Sequence, residues 1–326
     1  MTDHIAGLLG VEPAGIIYTS GASESNNLAI KGIAQASRST GRHMISTVLE
    51  HASVGGTLTA LQQQGWEVDL LDIQRDGTID LEQLGDLLRK DTILVSVCAV
   101  DSELGTVQPI RQITEILKDF PNCRLHVDAT QAIGKTELVM DGVDTMSIAP
   151  HKFYGLNGSG LLLKKSSVII EPQIHGGSST TLYRSGTPAL ALAVSIEKAL
   201  QLTLTQQEER IRCVRQLNEY LKTALLHYPS VRLNSPEGAV PHILNLSVQG
   251  LKGTVFQRVL SERGVCVSVK SACSAEGTPS KAVFAVSGDR KNALSSWRVS
   301  LSHLTTREEL DEFLQVFDQC YKELGP

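Results

Sequence analysis

A lysine follows an apolar run that is typical of a buried strand, in the segment Ser147-Ile-Ala-Pro-His-Lys-Phe-Tyr-Gly155. A lysine amine attacks an aldehyde only when its pKa is lowered, and a polar loop at the end of an apolar strand can provide that environment. Most lysines that follow a strand, however, are solvated surface groups. Lys152 is therefore a candidate nucleophile only if residues elsewhere in the chain support the same chemistry.

Three further polar segments follow predicted strands. Gly21-Ala-Ser-Glu-Ser-Asn-Asn27 opens a helix, so that its backbone amides and the Ser23 hydroxyl could bind a phosphate. Asp128 ends an apolar strand, where a carboxylate needs a cationic partner such as a protonated pyridine nitrogen. His51 follows another strand and could lie over a planar ring. Each segment also has an ordinary interpretation, as a helix cap, a turn cap and a surface histidine respectively.

Two loops add further reactive groups. Arg184-Ser-Gly-Thr187 could direct a guanidinium and a hydroxyl toward a phosphate or a carboxylate, although most loop arginines contact only water. Cys273 lies in the small-residue segment Val269–Pro279, which is suited to an exposed loop where a thiol can react. Cys98 and Cys266 lie within apolar runs that predict buried strands. We expect these two thiols to be inert.

The composition is that of an ordinary globular protein and argues against two classes of function. A net charge of −5 and a pI near 6.0 leave no basic surface for direct nucleic-acid binding, and no apolar run is long enough to span a membrane. The six cysteines lack the paired spacing of a zinc site, and a chain of 326 residues does not need disulfides. We therefore expect no metal, reduced thiols and a cytoplasmic location, since no signal segment precedes Leu8.

The hydrophobic pattern predicts an α/β fold in several parts. Short β-branched runs alternate with amphipathic stretches from Gly15 to about Ile170, which indicates a mostly parallel seven-stranded sheet covered by helices. We expect a large domain at residues 1–188, linking helices at 189–228 and a smaller α+β domain at 229–326 that carries the cysteine loop. The residues Thr305 and Glu308 predict a capping box for the last helix.

In order, these segments resemble the cysteine desulfurases of the NifS/IscS group, which are class V aminotransferase relatives and fold-type I pyridoxal-phosphate enzymes. The resemblance covers nearly the whole chain. Its motifs are Ser20–Asn27, Glu50-His51, Asp128-Ala-Thr-Gln131, His151-Lys152, Arg184–Thr187, Ser271-Ala-Cys273 and Trp297–Leu301. It implies a large domain that binds pyridoxal 5'-phosphate and a smaller C-terminal domain.

The resemblance also implies a role for each matching residue. Lys152 would bond the cofactor covalently, Asp128 would hold its pyridine nitrogen and His51 would stack on its ring. The remaining cofactor contacts would come from polar groups around the ring and phosphate: Gln131 and Ser102 near the ring hydroxyl, Ala22, Ser23 and His151 at the phosphate, and Thr187 at the phosphate of the partner subunit's cofactor.

The implied reaction is sulfur transfer from L-cysteine. Lys152 would act as the base, Arg298 would bind the substrate carboxylate, and the Cys273 thiolate would attack the substrate sulfur. The products would be a persulfide on Cys273 and L-alanine. The implied partners are a second copy of the chain, in a homodimer, and a sulfur-acceptor protein, either an iron–sulfur scaffold or a tRNA-thiolation protein.

The chain departs from the family pattern at several positions. It matches only after the family's opening Asp-Asn-Ala-Ala-Thr-Thr strand, so we expect either a fragment of a longer protein or a truncated relative. Ala149 replaces a phosphate-binding serine, Asp101-Ser102 replaces two asparagines, and Lys270 replaces a glycine. The alternatives are a catalytically impaired relative that keeps the fold, and another class V enzyme, an aminotransferase or a selenocysteine lyase.

Overall fold

The structure is a computed structural model that describes residues 1–178, 180–269 and 277–325. The chain forms two compact units, each built from several stretches of sequence. The first unit comprises Met1–Asp72, Ile79–Val100 and Gln108–Thr205, and the second comprises Ile73–Thr78, Asp101–Val107 and Gln206–Pro326. None of the helices in the described part of the chain has the length and apolar character needed to cross a membrane.

The first unit is a sheet covered by helices. Its strands are β1 (Ile16–Thr19), β2 (His43–Thr47), β3 (Glu67–Leu71), β4 (Thr92–Cys98), β5 (Arg124–Asp128), β6 (Thr145–Ile148) and β7 (Gly160–Lys164). Its helices are α1 (Thr2–Leu9), α2 (Ala22–Ala36), α3 (Ala52–Gln62), α4 (Leu81–Leu87), α5 (Ile110–Leu117) and α6 (Leu190–Thr205).

The seven strands have the order β1-β7-β6-β5-β4-β2-β3. β7 runs antiparallel to both of its neighbours, and the other strands run parallel to one another. Strands β4 and β7 are buried along their whole length, as expected for strands covered on both faces. The predicted α/β fold with a mostly parallel seven-stranded sheet is confirmed.

Helix α2 packs across this sheet and fixes the position of the loop that precedes it. Its apolar side chains, among them Leu28, Ile30 and Ile33, are buried in one cluster with Ile17 of β1 and Leu162 of β7. Burial of each such side chain contributes roughly 1.5–3 kcal/mol. The helix is therefore held firmly enough for its N-terminal turn to serve as part of a binding site.

The second unit has a three-stranded antiparallel sheet of order β10-β9-β8. Its strands are β8 (Val231–Leu233), β9 (Ile243–Val248) and β10 (Ser296–Ser300), and its helices are α7 (Gln207–Leu225), α8 (Gly253–Ser261), α9 (Lys281–Ser287), α10 (Arg290–Ser295) and α11 (Arg307–Leu324). Trp297 of β10 is fully buried and stacks on Phe256, with ring centroids 5.5 Å apart. This aromatic core anchors β10, the strand that carries Arg298.

The last helix begins one residue later than predicted. Thr306 caps α11 and forms the capping box with Glu309, whose backbone amide donates to the Thr306 hydroxyl at 3.2 Å. The predicted pair, Thr305 and Glu308, is wrong because the Thr305 hydroxyl accepts instead from the backbone amide of Ser302, at 3.1 Å. Either Thr305 or Thr306 could cap the helix by sequence, but the Thr305 hydroxyl is used by the preceding turn, so Thr306 is the cap.

The prediction for Cys266 is also wrong, because this thiol is exposed. The segment 265–269 forms no strand and pairs with β10 only through a bridge between Ser268 and Arg298. Val265, Val267 and Val269 pack against the core, so in this extended segment the alternate residue Cys266 points away from it. Cys98, in contrast, is buried as predicted.

Candidate active site

The predicted site residues of the first unit follow strands whose carboxyl ends lie along one edge of the sheet. Strands β1, β2, β5 and β6 run in the same direction, so the loops that follow them lie on the same side. These loops and strand ends carry most of the predicted cofactor contacts: Ala22 and Ser23 after β1, His51 after β2, Asp128 and Gln131 at β5, and His151 and Lys152 after β6. Ligands of open α/β sheets bind at this edge.

The turn before α2 can hold an anion. The first amides of a helix have no partner within the helix, and its dipole favours negative charge there, which places Ala22 and Ser23 at a suitable position. Gly160 at the start of β7 keeps the turn tight, since a Cβ there would lie 2.6 Å from the backbone of Gly21. A small cavity of about 200 Å³ beside the turn is lined by Ser20 and Thr187, among other residues.

An acidic residue in this turn is neutralised by the predicted phosphate loop. The Arg184 guanidinium donates to Glu24 in the first turn of α2 at 2.8 Å, and the Ser20 amide donates to the same carboxylate at 2.8 Å. Burial alone would raise the pKa of Glu24, but these hydrogen bonds outweigh it and lower the pKa. Arg184 therefore cancels a charge that would otherwise repel a phosphate, a role that the sequence did not indicate.

Asp128 is a buried carboxylate held by neutral donors. It is 5% exposed, its Oδ1 accepts from the Thr130 amide at 2.9 Å, and its Oδ2 accepts from the Asn26 side chain at 2.8 Å. Within the part of the chain that the structure describes, Asp128 forms no ion pair. A buried carboxylate without a cation suits a cationic ligand such as a pyridinium nitrogen.

His51 caps helix α3 and has a defined proton position. Its Nδ1 accepts from the Ser53 backbone amide at 3.1 Å, which leaves the proton of the neutral imidazole on Nε2. The cap also fixes the ring relative to α3. His51 therefore offers an Nε2–H group and a fixed imidazole plane at the carboxyl edge of the sheet.

Lys152 and His151 lie in a single turn of 3-10 helix, Pro150–Lys152, directly after β6. Both side chains are exposed. Partial burial, and then the positive charge of Lys152, lower the pKa of His151, so that its imidazole is neutral near pH 7. The Ala149 methyl group is fully buried beside this turn, at the position where the family pattern has a serine hydroxyl.

Gln131 and Thr187 remain predictions for cofactor binding. The Gln131 Oε1 accepts from the Lys135 ammonium at 2.7 Å, which leaves the amide donors of Gln131 for another partner. Thr187 is exposed on the loop that follows Arg184. Cys273, the predicted sulfur acceptor, lies outside the described residues.

The second unit carries the other two predicted residues, Ser102 and Arg298. The Arg298 guanidinium donates to the backbone carbonyl of Ser102 and, through Nε, to the Ser300 hydroxyl at 3.1 Å. Burial lowers the pKa of Arg298, and the carboxylates of Glu103 and Asp101 oppose that shift. The guanidinium keeps donors for a further carboxylate, because it has five N–H groups.

Asp101, which replaces a family asparagine, serves the local turn. It is 1% exposed, and its Oδ2 accepts from the backbone amides of Glu103 and Leu104. Burial raises its pKa to about 7, and the nearby charge of Glu103 adds to the increase. The carboxyl therefore changes its charge near neutral pH within a turn that leads to Ser102.

Glu50 is a half-buried residue with a buried carboxyl oxygen, and sequence reasoning assigned it no role beyond its place in the motif Glu50-His51. Its Oε1 accepts from the Cys98 amide at 2.8 Å and from the Thr47 hydroxyl at 2.9 Å, while its buried Oε2 has no partner among the described residues. Burial raises the pKa of Glu50 to about 8, and the charge of Asp128 adds to the increase. At pH 7 Glu50 is therefore protonated and adds no second negative charge near Asp128.

We expect Glu50→Gln to change how stability depends on pH. The pKa of the Glu50 carboxyl is about 8 in the folded chain, whereas its reference value is 4.5. Between pH 4.5 and about pH 8 the folded chain therefore holds a proton on Glu50 that the unfolded chain releases. Stability contributed by that proton is lost as the pH rises, at a slope of about 1.4 kcal/mol per pH unit near pH 6–7. Glutamine keeps the Oε1 acceptor, cannot ionise and removes this slope.

The measurement is the unfolding free energy of wild type and variant from pH 5 to pH 9. The difference between the two curves isolates Glu50, because the opposing contribution of His126, whose pKa burial lowers to about 4, is common to both. Glu115→Gln is the control, since Glu115 is exposed and pairs with Lys118 in the same helical region. Parallel curves for wild type and Glu50→Gln would contradict the assignment.

Comparison with known proteins identifies the class to which this fold and site belong. Residues 1–313 match the sequence profile of the family described as Aminotransferase class-V. The chain is 39% identical to a "NifS/IcsS protein homolog" of Lactobacillus delbrueckii subsp. bulgaricus, over 98% of this chain and 84% of that one. It is 35% identical to "Cysteine desulfurase IscS" of Dictyoglomus turgidum, over 99% and 83% respectively.

A solved structure named "NIFS-LIKE PROTEIN" superposes with a TM-score of 0.93 at 31% identity, and covers 99% of this chain and 86% of that one. The chain therefore belongs to the class-V aminotransferase family. Within that family it is similar over nearly its whole length to NifS/IscS cysteine desulfurases, which depend on pyridoxal 5'-phosphate. The predicted family and cofactor class are confirmed.

The residues of the first unit fit that cofactor. The N-terminal turn of α2 offers amides for its phosphate, Asp128 offers a buried carboxylate that forms no ion pair among the described residues, and Lys152 offers an exposed amine after β6. The phosphate, the pyridine nitrogen and the aldehyde of pyridoxal 5'-phosphate thus each have a candidate partner at one edge of the sheet. The individual assignments remain predictions.

Proposed function

We propose that the chain is a cysteine desulfurase that transfers sulfur from L-cysteine to Cys273 and releases L-alanine. The main structural support is Asp128, a buried carboxylate that accepts hydrogen bonds only from neutral donors among the described residues. It lies at the same edge of the sheet as Lys152. The names of the relatives at 35–39% identity support the same reaction.

Pyridoxal 5'-phosphate supplies an electron sink for the bonds at the substrate Cα when it is bound. The Asp128 carboxylate stabilises positive charge on a ring nitrogen, and the amides of the α2 turn bind phosphate. Lys152 would hold the cofactor through its amine and would move the proton at the substrate Cα. His51 would contact the cofactor ring with its imidazole and present Nε2–H.

The sulfur step uses groups of the second unit. Arg298 binds the substrate carboxylate through a guanidinium oriented by hydrogen bonds to the Ser102 carbonyl and the Ser300 hydroxyl. The Cys273 thiolate attacks the substrate sulfur and leaves a persulfide on Cys273. The electron pair of the broken Cβ–S bond stays with Cβ, which takes up a proton to give L-alanine. Lys270, three residues earlier in sequence, also lies outside the described residues, and we propose that its positive charge favours the thiolate form.

The proposal also covers the oligomeric state, the sulfur-acceptor protein and the cellular location. A homodimer places Thr187 at the phosphate of the partner subunit's cofactor, and an acceptor protein of iron–sulfur assembly or tRNA thiolation removes the persulfide sulfur. The location is cytoplasmic, where thiols remain reduced. The exposed thiol of Cys266 is consistent with a reducing compartment.

The test is product analysis with purified chain, added pyridoxal 5'-phosphate, L-cysteine and a thiol reductant. We expect equal amounts of L-alanine and sulfide, and neither product without the cofactor. Parallel reactions with an amino donor plus a 2-oxo acid, and with L-selenocysteine, distinguish an aminotransferase and a selenocysteine lyase. Turnover of either substrate with none of L-cysteine would contradict the proposal.

We expect Arg298→Gln to weaken substrate binding. The loss of one charge-assisted interaction with a carboxylate raises KM for L-cysteine about 10- to 100-fold and leaves kcat within a few-fold. Arg232→Gln is the control, because Arg232 lies on β8 of the same sheet and approaches Asp289 no closer than 3.9 Å. A decrease in kcat with no change in KM would contradict the proposal that Arg298 binds the substrate carboxylate.

A further inference from the structure

Asn26 joins three elements of the first unit through buried hydrogen bonds. It is fully buried in the second turn of α2, and its Nδ2 donates to Asp128 Oδ2 at 2.8 Å and to Ser53 Oγ at 2.9 Å. Its Oδ1 is 3.0 Å from His126 Nε2. Both amide hydrogens and the carbonyl oxygen of Asn26 are thus engaged, across α2, α3 and β5.

The proton positions in this network follow from the groups themselves. An ionised Asp128 can only accept, so the Asn26 amide nitrogen must face it and the Asn26 oxygen must face His126. His126 therefore carries its proton on Nε2, and its Nδ1 accepts from the Thr145 hydroxyl at 2.9 Å. Burial lowers the pKa of His126 to about 4, although the charge of Asp128 opposes the shift, so His126 is neutral.

A second branch of the network leads to His51. The Ser53 hydroxyl accepts from Asn26 and is 2.9 Å from His51 Nδ1, so its own proton points to that nitrogen. The Ser53 backbone amide donates to the same Nδ1. Both donors keep His51 in the Nε2–H form. One asparagine side chain thereby orients Asp128 directly and His51 through Ser53.

We propose that Asn26 is a positioning residue that aims the Asp128 carboxylate at the cofactor nitrogen and holds His51 in its Nε2–H form. The inference rests on the proposed function, because Asp128 and His51 are the groups that would contact the cofactor ring. Asn26 supplies an uncharged donor, so it orients Asp128 without neutralising the charge that attracts a cationic ring nitrogen.

The first test is the dissociation constant for pyridoxal 5'-phosphate, measured by absorbance titration of the full chain. We expect Asn26→Ala to raise it about tenfold, the effect of one lost hydrogen bond to a charged group. Asn218→Ala is the matched control, because Asn218 is also buried and donates one bond, to the Pro241 carbonyl at 2.9 Å in the second unit. Asn26→Ser, which keeps a hydroxyl, serves if the alanine variant does not fold.

A double-mutant cycle separates positioning from general destabilisation. In an Asp128→Ala background, Asn26→Ala should change the dissociation constant by a much smaller factor than in wild type, because only the branch through Ser53 to His51 then remains. Equal effects in both backgrounds, or no effect in wild type, would overturn the inference. A wild-type chain that binds no pyridoxal 5'-phosphate would instead overturn the proposed function on which it rests.

The same hydrogen-bond network predicts the histidine tautomers of the wild-type chain, which can be tested without an inactive variant. Nitrogen-15 NMR of histidine-labelled apoprotein should place the proton on Nε2 in both His126 and His51, with His126→Gln used for assignment. In Asn26→Ala the His51 signal should shift toward a mixture of tautomers. A proton on Nδ1 of His126 in wild type would mean that the Asn26 amide has the opposite orientation, which contradicts the proposal.

Discussion

Lys152→Ala is expected to eliminate the visible absorbance band of covalently bound pyridoxal 5'-phosphate and to lower cysteine turnover at least about a thousandfold. The substitution removes the amine that we propose both to bond the cofactor and to act as the base at the substrate Cα. The measurements are the visible spectrum after gel filtration and the rate of alanine formation. Binding through the α2 turn and Asp128 should persist, because those contacts do not involve Lys152.

Lys118→Ala is the control for Lys152→Ala. Lys118 is exposed and pairs with Glu115 at 2.6 Å, so its loss should leave spectrum and rate unchanged. If Lys152→Ala retains a stable visible band and a rate within about tenfold of wild type, the covalent lysine lies elsewhere. Lys164 is a poor candidate for that covalent lysine, because its ammonium already donates to the backbone carbonyls of Lys165 and Val168.

Cys273→Ser is expected to lower sulfide release from L-cysteine by at least about a hundredfold, because a hydroxyl at its ordinary pKa does not attack the substrate sulfur. Cofactor binding and its visible spectrum should be unchanged, since the cofactor contacts proposed above do not include Cys273. The rate of sulfide formation under reductant and the spectrum of the same sample provide the comparison.

Cys266→Ser is the matched control, because the thiol of Cys266 is exposed and lies seven positions earlier in sequence. It should retain the wild-type rate. If Cys273→Ser releases sulfide as fast as wild type while Cys266→Ser does not, the persulfide forms on Cys266. If both variants are fully active, the reaction proceeds without a persulfide on either thiol.

The sequence predicted the features that depend on local pattern. Alternating apolar runs indicated the parallel sheet, and polar residues at strand ends indicated which edge carries the site. Family motifs then assigned the cofactor. Each of these signals lies within a few consecutive residues, as for the strand that ends in Asp128 or the turn that contains Lys152.

The remaining features depend on contacts between distant segments. Asn26 and Asp128 are separated by 102 positions and Arg184 and Glu24 by 160, so no local pattern links them. A polar residue at the start of a helix is usually a capping or solvated group, which is why Asn26 drew no separate prediction. The exposed Cys266 was mistaken for a core residue because its valine neighbours alone face the core.

The most direct measurement is a single turnover of the cofactor-loaded chain with less than one equivalent of sulfur-labelled L-cysteine and no reductant. We predict one L-alanine released for each cysteine consumed, with the label recovered by mass spectrometry as one extra sulfur atom on the peptide that contains Cys273. Consumption of cysteine without alanine, or alanine without labelled sulfur on any cysteine of the chain, would contradict it.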